Sequence, residues 1–292
     1  MSVLVLAERI PTGGLAGVEV VREPGPEVEV VLLMHEVPFG AADMDALPAL
    51  RAVVTGSVGY DRIDVEAAAE RGIWVCNVPD YCVDEVADHT LALLLALARG
   101  VVALDRDARA GDWDALAAGP LRTLPGMRVG IVGFGRIGSA VGRRLAALGC
   151  ELLVNDVRDV GVPVVPLDEL LEASDAVSLH VPLTVATRGL IGAEEIARMR
   201  RGALLVNTSR GAVVELEPLV DALRDGAVGG AALDVLPVEP PASLPDVPNL
   251  IVTPHAAWYS EESERKAYAG AVAAALAALR GERPATAVPE TP

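Results

Sequence analysis

Gly133, Gly135 and Gly138, with Phe134, Arg136 and Ile137 between them, follow an apolar run at 129–132 and open onto a helical stretch at 139–145. A glycine turn therefore joins a buried strand to a helix. In such a turn the first glycine allows the tight bend, the second lets backbone approach a pyrophosphate, and the third lets helix and strand pack closely. The helix N-terminus is left aimed at the phosphates. A second apolar run at 152–155 ends at Asp156, about 20 residues beyond the glycines, where a carboxylate accepts hydrogen bonds from an adenosine ribose. Glycine turn and acid together have the chemistry of an NAD site, and Arg158 beside the acid leaves the strictness of NAD over NADP open. Three later strand ends carry reactive groups. Asn207-Thr208-Ser209-Arg210-Gly211 follows the run at 204–206, residues 234–239 follow 231–233, and Thr253-Pro254-His255 follows 250–252. Ligands of open α/β sheets bind beyond the carboxyl ends of strands, so Arg210, Glu239 and His255 are placed to converge on one crevice.

The elements that must position these groups alternate regularly. Apolar runs at 3–6, 30–34, 52–54 and 73–75 predict strands of a small α/β unit ahead of the glycine turn. Residues 84–97 predict a long, mostly buried helix with Asp84 and Glu85 in its first turn, where the helix dipole favours acids. Strands at 152–154, 176–179, 203–206, 231–233 and 250–252 then alternate with helices, including 167–173 and 217–224, in the rhythm of a doubly wound parallel sheet. An alanine-rich helix at 262–280 returns to the first domain, and 281–292, rich in Pro and Thr, is expected to be a tail. The expected organisation is two α/β domains, a discontinuous one of residues 1–95 and 266–292 and a dinucleotide-binding one of 96–265.

Composition narrows the partners. A chain of 292 residues with 52% hydrophobic content suits two cores. The formal charge of −17 disfavours nucleic acid and anionic membrane surfaces, so a small anionic ligand must meet specific arginines. Lys266 is the single lysine, which excludes a catalytic lysine elsewhere. Cys76, Cys82 and Cys150 are odd in number and lack metal-ligand spacing, so neither a disulfide framework nor a metal site is expected. No leader or spanning segment is evident, and a soluble, cytoplasmic protein is expected.

Seven ordered segments carry a resemblance that runs almost from end to end: 59–64, 75–79, 132–138, 181–184, 206–211, 233–240 and 253–255. The chain resembles the D-isomer-specific 2-hydroxyacid dehydrogenases. Within that family His255-Ala256-Ala257-Trp258-Tyr259-Ser260 and the segment 76–82 look most like the C-terminal-binding-protein branch, whose eukaryotic members are NAD-dependent corepressors. The resemblance implies a Rossmann NAD-binding domain and a discontinuous flavodoxin-like substrate domain, closing around cofactor and substrate, and a homodimer. It implies that Arg210 holds the carboxylate of a small 2-oxoacid or 2-hydroxyacid, that His255 exchanges the proton, and that Glu239 stabilises and orients the imidazole. It further implies cofactor contacts from Gly133, Gly135, Arg136, Ile137, Gly138, Asp156, Pro182, Thr187, Thr208, His255 and Asp234, the last at the nicotinamide carboxamide. Substrate contacts are implied for Val58 and Gly59 through backbone N–H groups, and for Trp258, whose ring would shape the pocket. His35 has a substrate-facing and a structural reading, His89 is expected to be a buried or hinge residue, and His180 is expected to support the cofactor loop. Two other functions stay open: an NAD(H)-sensing, corepressor-like interaction protein, and a phosphite or other small-anion dehydrogenase of the same fold.

Overall fold

A computed structural model describes residues 1–6, 12–119, 121–247 and 249–291. They form two α/β units, Met1–Tyr81 with Ser260–Pro292, and Cys82–Tyr259. In the first unit β1 (Ser2–Val5), β2 (Glu19–Val21), β3 (Val30–Leu33), β4 (Ala52–Thr55) and β5 (Trp74–Cys76) form one parallel sheet in the order β2-β1-β3-β4-β5. Helices α1 (Ala41–Asp45) and α2 (Val65–Glu70) supply crossovers that parallel strands require. Strands β1, β3 and β4 are buried along their whole length, which is why they appear in the sequence as unbroken apolar runs. β2 is only three residues long and partly exposed, and no apolar run marks it.

The second unit opens with α3 (Val83–Ala98) and α4 (Val101–Ala110). It continues through β6 (Arg128–Val132), α5 (Arg136–Ala147), β7 (Glu151–Asn155), α6 (Leu167–Ala173), β8 (Ala176–Leu179), α7 (Ala193–Arg198), β9 (Ala203–Asn207), α8 (Leu216–Arg224), β10 (Val228–Leu233) and β11 (Leu250–Val252). Its sheet is parallel throughout, in the order β11-β10-β9-β8-β6-β7. The winding reverses at β6, which has β7 on one side and β8 on the other, so the glycine turn after β6 stands at the topological switch point. Chain order then returns to the first unit through α9 (Glu261–Leu279).

The limits of the two units differ from 95/96 and 265/266, and packing explains both differences. Leu93, Leu94 and Ala98 of α3 share a core with Val129, Ile131 and Val206, so the whole helix belongs with the second sheet. Ser260 caps α9 by accepting the N–H of Ser263 at 2.9 Å, so the return begins there. Small residues on α9, including Ala267, Ala271, Ala274 and Ala275, are buried as the helix lies on β3 and β4.

The expected tail at 281–292 is corrected by the structure where it is described. Val288 N–H donates to the Val75 carbonyl at 2.8 Å, Asn77 N–H donates to Thr286 at 3.3 Å, and Val75 N–H donates to Thr291 Oγ1 at 3.3 Å. Val288 is buried in the first core. An edge strand presents unpaired backbone groups, and here the C-terminal segment covers β5 in spite of its Pro- and Thr-rich composition. Val288→Asp puts a charge against that strand. Its expected effect is a loss of about 2 kcal/mol or more together with self-association through the bared edge, read by urea unfolding and turbidity.

Candidate active site

The glycine turn is shaped by two contacts that no side chain would tolerate. Gly133 has φ +86°, and a Cβ on it would sit 2.6 Å from the His180 carbonyl oxygen; a Cβ on Gly138 would collide with the Gly133 carbonyl. Strand β8, the turn and α5 therefore close on one another through bare backbone. Helix α5 has Gly135 as its N-cap, no side-chain cap and no acid in its first turn, so its first N–H groups are arranged for an anion. At the end of β7, Asp156 Oδ2 accepts the Phe134 N–H at 2.8 Å, and Oδ1 accepts the Arg158 N–H at 3.0 Å and its Nε at 3.1 Å. The Arg158 guanidinium and these backbone donors hold the Asp156 carboxyl at about 2. Arg158 Nη2 also donates to Oδ2 at 3.3 Å, so the acid fixes the turn to β7 with two hydrogen bonds on each oxygen. Such a cradle fits a dinucleotide.

Pro182 and Thr187 close the loop after β8: Thr187 Oγ1 donates to the Pro182 carbonyl at 2.6 Å and accepts the Thr184 N–H at 2.8 Å. His180 shares a 2.8 Å hydrogen bond with Ser178 through Nε2, and desolvation pushes its pKa down to about 4.

Neighbouring strands β9, β10 and β11 carry the three reactive groups in adjacent loops. At the end of β9, the buried Asn207 makes a local turn: its Oδ1 accepts the Ser209 N–H at 3.0 Å and its Nδ2 donates to the Arg210 carbonyl at 2.9 Å. Gly211 packs so tightly on Leu236 and Pro237 that a Cβ would overlap their backbone. The Arg210 turn therefore lies directly against the loop that carries Glu239. Glu239 Oε1 accepts the Leu236 N–H at 2.8 Å, and Oε2 lies 2.8 Å from His255 Nδ1. A carboxylate only accepts, so Nδ1 carries a proton and Nε2 is the nitrogen left to exchange one. Both partners are about three-quarters covered, with 21% of the His255 side chain and 27% of the Glu239 side chain exposed.

His255 has φ +52°, a left-handed conformation uncommon outside glycine. Asp234, 1% exposed, holds it. Asp234 Oδ1 accepts Thr253 Oγ1–H at 2.6 Å and the Ala256 N–H at 2.9 Å, Oδ2 accepts the Ala257 N–H at 3.0 Å, and the Asp234 carbonyl accepts the His255 N–H at 2.8 Å. Asp234 is therefore a clamp on the loop at 253–257, whatever else it contacts. Trp258, next on that loop, packs edge-on against Tyr259 with ring centroids 5.5 Å apart.

The remaining substrate candidates, Val58 and Gly59, follow β4 in the first unit. Their carbonyls accept Asn77 Nδ2–H at 2.7 Å and Ser57 Oγ–H at 2.7 Å. His35, also in the first unit, faces Glu36 at 3.3 Å. Asn207 and Thr253 escaped the sequence reading as positioning residues. The Asn-x-Ser turn after a strand was the available signal for the first, and Thr253 gave none beyond its place beside the histidine.

Residues 91–257 match the family model for the NAD-binding domain of D-isomer specific 2-hydroxyacid dehydrogenases. The chain belongs to that family. It is 43% identical to a glyoxylate reductase of Korarchaeum cryptofilum over 281 residues, covering 91% of this chain and 84% of the relative. It is 38% identical to a glycerate dehydrogenase of Methylorubrum extorquens, covering 80% and 77%. Among solved structures, the NADPH-dependent glyoxylate/hydroxypyruvate reductase of Sinorhizobium meliloti superposes with a TM-score of 0.86 at 31% identity, covering 100% of this chain and 97% of the other. As a 2-hydroxyacid dehydrogenase the chain is an NAD-dependent oxidoreductase of 2-hydroxyacids, with two parallel-sheet α/β domains. These relatives bear the names of reductases and dehydrogenases and do not specify the corepressor-like branch.

His180 generates a pH dependence. Unfolded, its ring takes a proton near 6.5; folded, not until about 4. Between those values the unfolded chain binds the extra proton, so native stability falls as pH falls from 6.5 to about 4. His180→Asn is expected to flatten this part of the acid slope, read from urea midpoints across the same window.

Proposed function

We propose that this dehydrogenase reduces a small 2-oxoacid of the glyoxylate and hydroxypyruvate class to the D-2-hydroxyacid, with NADH as the reductant. The observation that carries the reading is the 2.8 Å pair of His255 Nδ1 with Glu239 Oε2, which leaves Nε2 as the proton-exchanging atom. The names of the relatives support the substrate class.

When bound, the nicotinamide supplies the hydride to the carbonyl carbon. Arg210 grips the substrate carboxylate with two parallel N–H donors, which fixes the keto group against the histidine. Protonated His255 delivers its Nε2 proton to the carbonyl oxygen as the hydride arrives, and Glu239 stabilises the imidazolium beforehand. The products are the hydroxyacid and a neutral His255, which takes its next proton from solvent; oxidation runs these steps in reverse. Val58 and Gly59 are proposed substrate contacts through backbone N–H groups, and Trp258 is proposed as the wall that limits the side chain. Gly133, Gly135, Arg136, Ile137, Gly138, Asp156, Pro182, Thr187, Thr208 and Asp234 are the proposed cofactor contacts. The carboxylate of Asp156 disfavours a 2′-phosphate, which supports NADH over NADPH.

A homodimer is proposed through the second unit. Helix α4 buries none of its residues, and near it Trp113 and Leu116 are 92% and 79% exposed, which supports an interface there. Among the described residues no single helix is long and apolar enough to cross a membrane. Cys76 and Cys150 are buried free thiols, which supports a reducing, cytoplasmic compartment.

Mixing the protein with NADH and glyoxylate, hydroxypyruvate or pyruvate is expected to consume reduced nicotinamide. His255→Ala lowers kcat by about 10²–10⁴-fold while NADH still binds; absence of turnover with all three oxoacids, or full activity of the variant, refutes the reading. Leu116→Glu is expected to convert a dimer to a monomer in light scattering, and a wild-type monomer removes the dimer proposal.

A further inference from the structure

Two consecutive residues of α3 reach two different active-site loops. His89 Nε2 lies 3.1 Å from Thr253 Oγ1, and Thr90 Oγ1 lies 2.8 Å from Thr208 Oγ1. The direction of each proton follows from the neighbours. Thr253 gives its hydroxyl proton to Asp234 Oδ1 at 2.6 Å, so its oxygen meets His89 as an acceptor and His89 Nε2–H donates. Thr90 gives its proton to the Val86 carbonyl at 2.7 Å, so Thr208 is the donor to Thr90. With these directions every hydroxyl proton in the two contacts has an acceptor. The His89 ring also stands 3.6 Å from Asp234 Oδ1, the acid that clamps the left-handed His255.

Helix α3 is a rigid support for both contacts. Val86, Ala87, Leu93 and Leu94 are buried on it, Thr90 is 1% exposed, and the helix packs on α5, β9 and β10. Resting on the function proposed above, we infer that α3 sets the spacing between the proton donor and the carboxylate anchor. His89 holds the His255 loop through Thr253 and Asp234. Thr90 holds the Arg210 turn through Thr208, whose neighbours Asn207 and Ser209 complete that turn. Both are positioning residues: they act on the reaction through other side chains. Proton transfer and carboxylate binding tolerate little displacement, since about 1 Å of misplacement can cost about 100-fold in rate.

The two arms make different kinetic predictions. His89→Phe removes the donor to the His255 loop and is expected to lower kcat about 10–100-fold, with the oxoacid KM and the NADH Kd within about threefold of wild type. His89→Gln retains an N–H donor and restores kcat to within about threefold. Thr90→Val removes the acceptor for Thr208 and is expected to raise the oxoacid KM about tenfold with less effect on kcat, whereas Thr90→Ser restores it. A parallel loss of kcat and melting temperature without rescue by the conservative variants overturns the inference, as do variants within twofold of wild type in every constant. A second readout needs no turnover. The chain has 4 histidines, so ring ¹⁵N–¹H spectra resolve them: wild type is expected to show His89 as the Nε2–H tautomer, and His89→Phe to move the His255 signals. Unmoved His255 signals refute the brace even in a protein that turns over oxoacids. A wild type inactive on every oxoacid, with His255 signals that do move, refutes the substrate reading and leaves the brace standing.

Discussion

A buried carboxylate organises this site. Asp234 sits at the end of β10 and takes hydrogen bonds from the hydroxyl of Thr253 and the N–H groups of Ala256 and Ala257, while its own carbonyl takes the His255 N–H. A carboxylate removed from water must find replacements for its lost solvation, and here they come from one short loop. Satisfying the charge and bending the loop are the same event. The bend places His255 at a positive φ, a conformation that would relax without those bonds. The imidazole then meets Glu239, whose other oxygen is fixed by the Leu236 N–H. Each member of the His255–Glu239 pair is thus held by a further backbone hydrogen bond.

The same logic governs the cofactor end. Asp156 ties the glycine turn to β7 through the Phe134 N–H and is kept ionised by Arg158. In a chain of formal charge −17, positive charge at a site is local by construction. Arg210 and the helix N-terminus of α5, the proposed anion contacts, both stand at the carboxyl ends of strands of the second sheet.

Much of this was legible in residue order because buried parallel strands are written as apolar runs and strand-to-helix turns as glycines. β6 and the turn after it, and the loops of Arg210, Glu239 and His255, all fall where those patterns place them. What escaped notice depends on partners distant in sequence. β2 is three residues long and partly exposed, and hydrogen bonds to β1 make it a strand. The segment at 286–291 looks like a tail until Val75 and Cys76 are set beside it. His89 is one of several polar residues on α3, and its meaning lies in Thr253, 164 residues away.

The docking of that last segment has a consequence for how the molecule is made. Synthesis delivers β1 to β5 before the second unit, yet two of the parts that complete their unit, α9 and the residues that cover β5, are translated after it. The second unit lies wholly between them in the chain, so all of its strands emerge from the ribosome while the first sheet still lacks a helix on one face and a neighbour at one edge. The nascent chain must shelter an unfinished sheet while the second unit is made, and the first unit reaches its full structure only after the residues of the second have been translated.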